Sequence, residues 1–163
     1  MSIAEVFPDG RLILNGQVYR ACIGRGGSSE RKMEGDGTTP RGLLALRRVL
    51  YRADRVPPPK AAVPIEPLAP NDGWCDAPYD VRYNRPVEMP FNASSEALWR
   101  SDAVYDVIGV LGWNDAPVVR DRGSAIFLHV ARPDYAPTEG CVALSKVDLI
   151  TVLALGVDAL NIH

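Results

Sequence analysis

Six prolines, Pro57, Pro58, Pro59, Pro64, Pro67 and Pro70, constrain this chain more than any other feature, because neither a helix nor a central strand can run through them. Consecutive prolines hold polyproline-type backbone and donate no ladder hydrogen bonds. This stretch is therefore expected to cross the surface as a stiff connector rather than enter a sheet. On either side lie short apolar runs separated by glycine, proline and asparagine, a pattern of short strands.

Before the prolines, Arg11-Leu-Ile-Leu, then Asn15-Gly16, then Val18 to Ile23 reads as a hairpin, since Asn-Gly between apolar runs favours the turn that matches strand twist. Leu43 to Tyr51 is apolar behind Pro40 and Gly42 and is either a strand or one short helix. After the prolines, Ser94 to Arg100 reads as a short capped helix, Ser followed by Glu being close to a helix-start signal. Val104 to Gly112 is a central strand by its apolar density and β-branched content. Trp113 to Pro117 turns away, and Ser124 to Val130 reads as the next buried strand, so the core strands are those of Ile108 and Phe127. Ser145 is the expected N-cap of a helix from Lys146 to Leu155 that Gly156 stops, and Val157 to Ile162 closes the chain as a strand. This order describes a mainly β chain, as two sheets or one curved sheet, with one or two small helices.

A length of 163 residues, 47% apolar and 23% charged, suits one globular domain with its own core, expected to span residues 1–163. The net charge of -2 leaves no basic face for nucleic acid. Gly24-Arg-Gly-Gly-Ser-Ser lacks the Gly-Lys-Ser/Thr ending of a phosphate cradle. Cys22, Cys75 and Cys141 fit no zinc spacing, and with two histidines, one of them His163, no metal site and no cofactor is expected. Cys22 reads as a strand residue and Cys75 as a loop residue. No run reaches the roughly 20 apolar residues that cross a bilayer, and the segment from Met1 lacks a secretory pattern. By sequence alone the expected location is the cytoplasm.

Chemistry concentrates between Phe127 and Ser145, where His129 stands twelve residues before Cys141. A cysteine attacks as thiolate, and its ordinary pKa of roughly 8.5 leaves little of it ionised at neutral pH, so a neighbouring imidazole raises its reactivity. His129 lies at the end of an apolar strand, and Pro133 and Pro137 force the following residues into a loop that can bring Cys141 back beside it. Gly140 lets the backbone approach a reacting carbonyl, making the Gly140 and Cys141 amides candidate oxyanion donors. Against this stands the common packing role of buried cysteine and strand-end histidine.

The strand ending in His129, the loop, and Thr138-Glu-Gly-Cys-Val142 together resemble the core of the YkuD-type L,D-transpeptidase catalytic domain. Lys32-Met-Glu-Gly-Asp-Gly-Thr-Thr-Pro-Arg-Gly42 is similar to the segment that precedes a core strand in that family, which favours the strand reading of Leu43 to Tyr51. The resemblance frames residues from about 10 to 163. It departs from many members at Val130, Glu139 and Ala143, which stand where those members have glycine, a second histidine and arginine.

The resemblance implies a YkuD-like β-sandwich and two-step acyl transfer. His129 takes the thiol proton, Cys141 attacks a stem-peptide carbonyl of peptidoglycan, the Gly140 and Cys141 amides hold the oxyanion, and an acceptor amine resolves the thioester. Attack after the third stem residue gives 3-3 cross-links and after the first gives 1-3 cross-links; water as acceptor makes an L,D-carboxypeptidase. Acylation by a carbapenem is also implied, as is a location in the periplasm or cell wall, against the sequence-only expectation. Residues 73–87 form either a substrate wall, in which Tyr83, Asn84 and Arg85, with Thr138, hold a stem peptide, or an irregular loop whose Trp74 tucks into the core. The group that orients His129 is left open between Asp134, Glu139 and a backbone carbonyl. A reading of a different class is a non-catalytic wall-binding or interaction domain in which Cys141 is inert or redox-sensitive.

Overall fold

The computed structural model describes residues 1–163. Strands hold 37% of the residues and helix 6%. The chain opens as a meander of β1 (Ile3–Phe7), β2 (Arg11–Leu14) and β3 (Gln17–Cys22). Asn15 and Gly16 both take left-handed backbone, with φ of 51° and 77°, so the turn between β2 and β3 is of the expected kind. Alternation sets the faces: Ala4, Val6, Leu12 and Leu14 point into the core.

Short β4 (Ser28–Ser29) and β5 (Thr39–Pro40) pair in parallel, and β6 (Gly42–Tyr51) is a strand of ten residues. The proline-rich segment departs from expectation, because β7 (Ile65–Pro67) joins the sheet beside β6. An edge position permits this: Pro64 offers only its carbonyl, to Val49 N–H at 2.9 Å, and the donor to Tyr51 O at 2.8 Å is Leu68.

Residues 72–97 also differ. The expected irregular loop and short helix are instead a three-stranded sheet of β8 (Asp72–Cys75), β9 (Pro86–Glu88) and β10 (Ser95–Ala97), with β8 in the centre. Cys75 is thus a buried strand residue rather than a loop residue. The segment from Ser94 is too short to sustain a helix in isolation, and pairing of Glu96 with Trp74 satisfies its backbone better.

The remainder comprises β11 (Val107–Leu111), β12 (Phe127–Val130), β13 (Val142–Leu144), α1 (Lys146–Ala154) and β14 (Ala159–Ile162). Ser145 caps α1 by accepting from Asp148 N–H at 3.2 Å, and Gly156 follows its end at a φ of 86°. The large sheet runs β11-β12-β13-β3-β2-β1-β14-β6-β7, and β11 also pairs with β6, so the order closes on itself. No helix is long and apolar enough to cross a membrane.

Two apolar clusters result. The larger, with Leu12, Leu128, Leu144, Leu149 and Leu160, lies inside the closed sheet under α1. The smaller packs Trp74, Leu98, Tyr105, Ile108, Phe127 and Cys141 between that sheet and the three-stranded one. Strands β11 and β12 serve both, which explains their unbroken apolar composition: Val107 and Leu128 face one cluster, Ile108 and Phe127 the other.

Just before β11, Asp106 is buried with a side chain 3% exposed, and its two oxygens accept from Arg55 at 2.8 Å and Lys146 at 2.7 Å. This triad ties the start of α1 to β11 and to the turn after β6. Removing its acceptor strands two cations at a partly desolvated position. Asp106→Ala is expected to cost about 3 kcal/mol, read by urea unfolding; a loss within the range of surface ion pairs would mean that solvent screens the triad.

Candidate active site

Side chains alternate along β12, so Phe127 and His129 share the face opposite Leu128 and Val130. The parallel register Leu128↔Val142 and His129↔Ala143 then carries Cys141 to the level of Phe127. There the Cys141 thiol is held at both poles: Sγ accepts from Phe127 N–H at 3.3 Å and donates to Ala125 O at 3.2 Å. The imidazole of His129 places Nδ1 3.0 Å from Val130 O. A carbonyl only accepts, so Nδ1 carries the proton and Nε2 keeps a free lone pair. Of the candidates for orienting His129, the backbone carbonyl fills the role; Glu139 pairs with Arg25 at 3.0 Å, and Asp134 accepts from Ala136 N–H. Tyr105 stands edge-on to the imidazole at 5.4 Å and fixes its plane from the side.

The turn before Cys141 is knotted by Thr138. Its hydroxyl donates to Cys141 O at 2.6 Å and accepts from Gly140 N–H at 3.1 Å, while its backbone bridges to residues 23–25. Gly140 has a φ of 144°, and a Cβ there would lie 2.7 Å from Thr38 O and 3.3 Å from Lys32 Nζ. Glycine is required on both grounds. The Gly140 amide, expected to face an oxyanion, is therefore already engaged, whereas the Cys141 amide makes no backbone or side-chain hydrogen bond.

A cavity of about 440 Å³ opens over this turn and is lined by Cys141, His129, Thr138, Gly140 and a set of charged side chains. Lys32, with a side chain 3% exposed, pairs with Asp36 at 2.8 Å. Burial by itself would raise the Asp36 carboxyl, but hydrogen bonds from Lys32, the Thr38 and Met33 amides and the Thr38 hydroxyl hold it well below the usual carboxylate range. Arg100 pairs with Asp102 at 2.7 Å. Glu34 accepts from the Tyr83 and Ser124 hydroxyls at 2.7 and 2.6 Å.

Burial dominates both central groups. It pushes the Cys141 thiol up to about 12, reinforced by the charge of Glu96 and opposed by Phe127 N–H and Lys32. It pushes His129 down to about 4, the Val130 carbonyl acting against it and the charges of Arg100 and Arg132 with it. At neutral pH the resting site holds a neutral thiol and a neutral imidazole, and no hydrogen bond joins them.

Tyr83, Asn84 and Arg85 lie outside the lining of this cavity. Tyr83 is buried and donates to Glu34, and its oxygen accepts from Gly123 N–H. Asn84, at a φ of 55°, accepts through Oδ1 from Trp74 Nε1 and Ala125 N–H and donates through Nδ2 to Trp113 O and Asn114 O. Every polar site of that amide is used internally, so it has none to offer a peptide. Arg85 donates to Asp115 O at the rim of a second cavity of about 210 Å³. These three residues brace the segment carrying Ala125 rather than wall the Cys141 cavity, whereas Thr138 belongs to the cavity and to its turn. Glu96, Arg100 and Tyr105 were not singled out from sequence, because they arrive from elements that carry no motif. Lys32 and Glu34 did stand in the segment resembling a known family.

Residues 1–155 match the family model described as the L,D-transpeptidase catalytic domain, YkuD. No curated protein and no solved structure gives a significant match.

Removing the Asn84 side chain leaves the Trp74 indole and Ala125 amide without their shared acceptor. Asn84→Ala is expected to cost about 3 kcal/mol in denaturant unfolding, with two buried donors unsatisfied. Because Ala125 O accepts from Sγ, the same variant should alkylate faster at Cys141, measured by mass spectrometry of tryptic peptides. A second test is pH. His129 binds its proton less readily when folded, so the stability held above the ordinary value of 6.5 is lost as pH falls towards about 4. His129→Asn should flatten the fall in melting temperature across that window relative to the parent; an unchanged slope would place the ring in water.

Proposed function

The chain belongs to the YkuD family of L,D-transpeptidase catalytic domains, which act on peptidoglycan, and from that premise we propose that it is a cysteine acyltransferase with Cys141 as nucleophile and His129 as general base. The observation that carries this reading is that a correctly protonated imidazole on β12 and a thiol in the turn that leads into the parallel strand β13 line one cavity beside an unengaged backbone amide.

The reaction starts from two neutral groups. When a stem-peptide carbonyl enters, Sγ turns from Ala125 O, Nε2 of His129 takes the thiol proton, and sulfur bonds to the carbonyl carbon. The electron pair displaced onto oxygen is met by the Cys141 N–H and by the positive charge of Lys32, whose Nζ approaches Gly140. Collapse breaks the bond to the D-residue, whose amine leaves with the proton from His129. An acceptor amine then attacks the thioester, returns its proton through His129 and frees the thiol. Charge develops only while substrate excludes water, which makes the preset dipoles effective. The product is a 3-3 or a 1-3 cross-link according to which stem carbonyl reaches Sγ. A peptidoglycan substrate puts the enzyme in the periplasm or cell wall, and the same nucleophile opens a carbapenem ring to form a covalent adduct.

Incubation of the protein with muropeptide monomers is expected to yield dimers by mass spectrometry, and Cys141→Ala is expected to lower that rate by on the order of 10³-fold. Fragmentation assigns the donor residue. Dimers from the Cys141→Ala variant, or no change in the monomers with the parent, would overturn the assignment; shortened monomers without dimers would make the enzyme a carboxypeptidase.

A further inference from the structure

The second cavity, of about 210 Å³, shares only Ile126 with the one over Cys141 and is lined by neither His129 nor the thiol. Its charged lining is one-sided: Arg47, Arg48 and Arg85 stand there with a single carboxylate, Asp115. Two of these arginines are consecutive in β6, and regular pleating would send them to opposite faces. The strand breaks its register at this point. Arg48 pairs with Val110, but the next residue, Leu111, pairs with Leu46, so Arg47 is the extra residue of a bulge. Leu46 and Val49 on either side both enter the larger apolar cluster, and the bulge turns the two arginines between them away from it. Simple alternation from Leu46 would have driven Arg48 into the core.

The polar groups around this cavity are donors without acceptors to match. The Asp115 carboxylate accepts from Arg47 Nε at 3.0 Å and Nη2 at 3.3 Å, and its carbonyl accepts from both terminal nitrogens of Arg85 at 3.2 Å. Trp74 and Trp113 donate their indole N–H groups to Asn84 and to Arg122 O, and the Asn84 amide is fully engaged. Arg48 has no protein partner for its guanidinium. Three cations against one carboxylate leave an excess of two positive charges beside a wall made by Trp74, Trp113 and Val110. We propose that this cavity is a second binding site, separate from the thiol, for a small carboxylate with an apolar or aromatic body. The carboxylate forks onto Arg48 with Arg85 beside it, and the body lies against the two indoles. A planar carboxylate matches the guanidinium fork, the volume admits a body of about one aromatic ring, and a compact phosphate would leave the indoles uncovered. The proposal stands apart from the acyl-transfer reading. Its place in the fold is close to that site, because Phe127, whose N–H holds Sγ, and Asn84, which accepts from Ala125 N–H, both belong to the lining.

The test is a titration of the isotopically labelled full chain with hydrocinnamate, a fragment-sized carboxylate, followed by the indole N–H signals in NMR spectra at low ionic strength. The three tryptophans form an internal map: Trp74 and Trp113 line the cavity, whereas Trp99 lies under the Arg52 guanidinium outside it. The Trp74 and Trp113 signals are expected to move together, with a dissociation constant on the order of millimolar, while Trp99 stays in place. Arg48→Gln removes the charge without breaking a protein contact and should weaken binding about tenfold. Arg132→Gln, a change in the cavity over Cys141, should bind as the parent does. Hydrocinnamamide keeps the ring without the charge and should bind about tenfold more weakly than the acid; this comparison needs no variant and holds if Arg48→Gln fails to fold. Inorganic phosphate should move the same signals only at higher concentration. The proposal is overturned if neither Trp74 nor Trp113 responds, if Trp99 moves in their place, if the amide matches the acid, or if Arg48→Gln binds as tightly as the parent. Tighter binding of phosphate than of hydrocinnamate would also overturn it, by making this a general oxyanion site.

Discussion

The parallel register between β12 and β13 is the constraint on which the site depends. Leu128 opposite Val142 puts Phe127, His129 and Cys141 on one side of the two strands, and a slip by one residue would turn Val142 rather than Cys141 towards the cavity. The strands cannot slip, because Leu128, Val130, Val142 and Leu144 are buried in the larger cluster on the reverse face. The geometry of the thiol is in this sense held by apolar packing on the side of the sheet it does not touch. Gly140 and Thr138 complete the arrangement, the first by admitting Thr38 and Lys32 against the backbone, the second by closing the turn on itself.

Burial makes this a site at rest rather than a standing ion pair. A thiol pushed up to about 12 and an imidazole pushed down to about 4 share a low-dielectric pocket, where neutral forms are the stable ones. The charged groups nearby are satisfied from outside the lining, Lys32 by Asp36 and Arg100 by Asp102. Buried polar side chains throughout find partners, and Asp106 with Arg55 and Lys146 follows the same rule just before the start of β11. A reaction that creates charge here needs the substrate to complete the electrostatics, in keeping with stabilisation aimed at the transition state rather than at the resting thiol.

Legibility followed sequence distance. The Asn15-Gly16 hairpin, the apolar strands around Ile108 and Phe127, and the Ser145 to Gly156 helix are set by local dihedral and capping preferences, and each lies where the residues put it. The three-stranded sheet was read as loop and helix because its strands are short, lack alternation, and gain their stability from pairing with one another and from Trp74 packing on Phe127. Asn84 misled for a related reason: an amide beside Tyr and Arg looks like a binding residue until its four internal partners are known.

By itself the sequence determined the mainly β class, the family resemblance, and the nearness of His129 to Cys141, since a strand, a proline-bounded loop and a glycine turn are all contained in one short segment. Only the tertiary structure decided what surrounds that pair. Lys32, Glu34, Glu96, Arg100 and Tyr105 come from distant segments, and their meeting depends on how the closed sheet and the smaller sheet stack. The tautomer of His129, the engagement of the Gly140 amide and the neutrality of both central groups are likewise products of burial and hydrogen bonding. Those forces act between residues far apart in the chain, and local preference does not encode them.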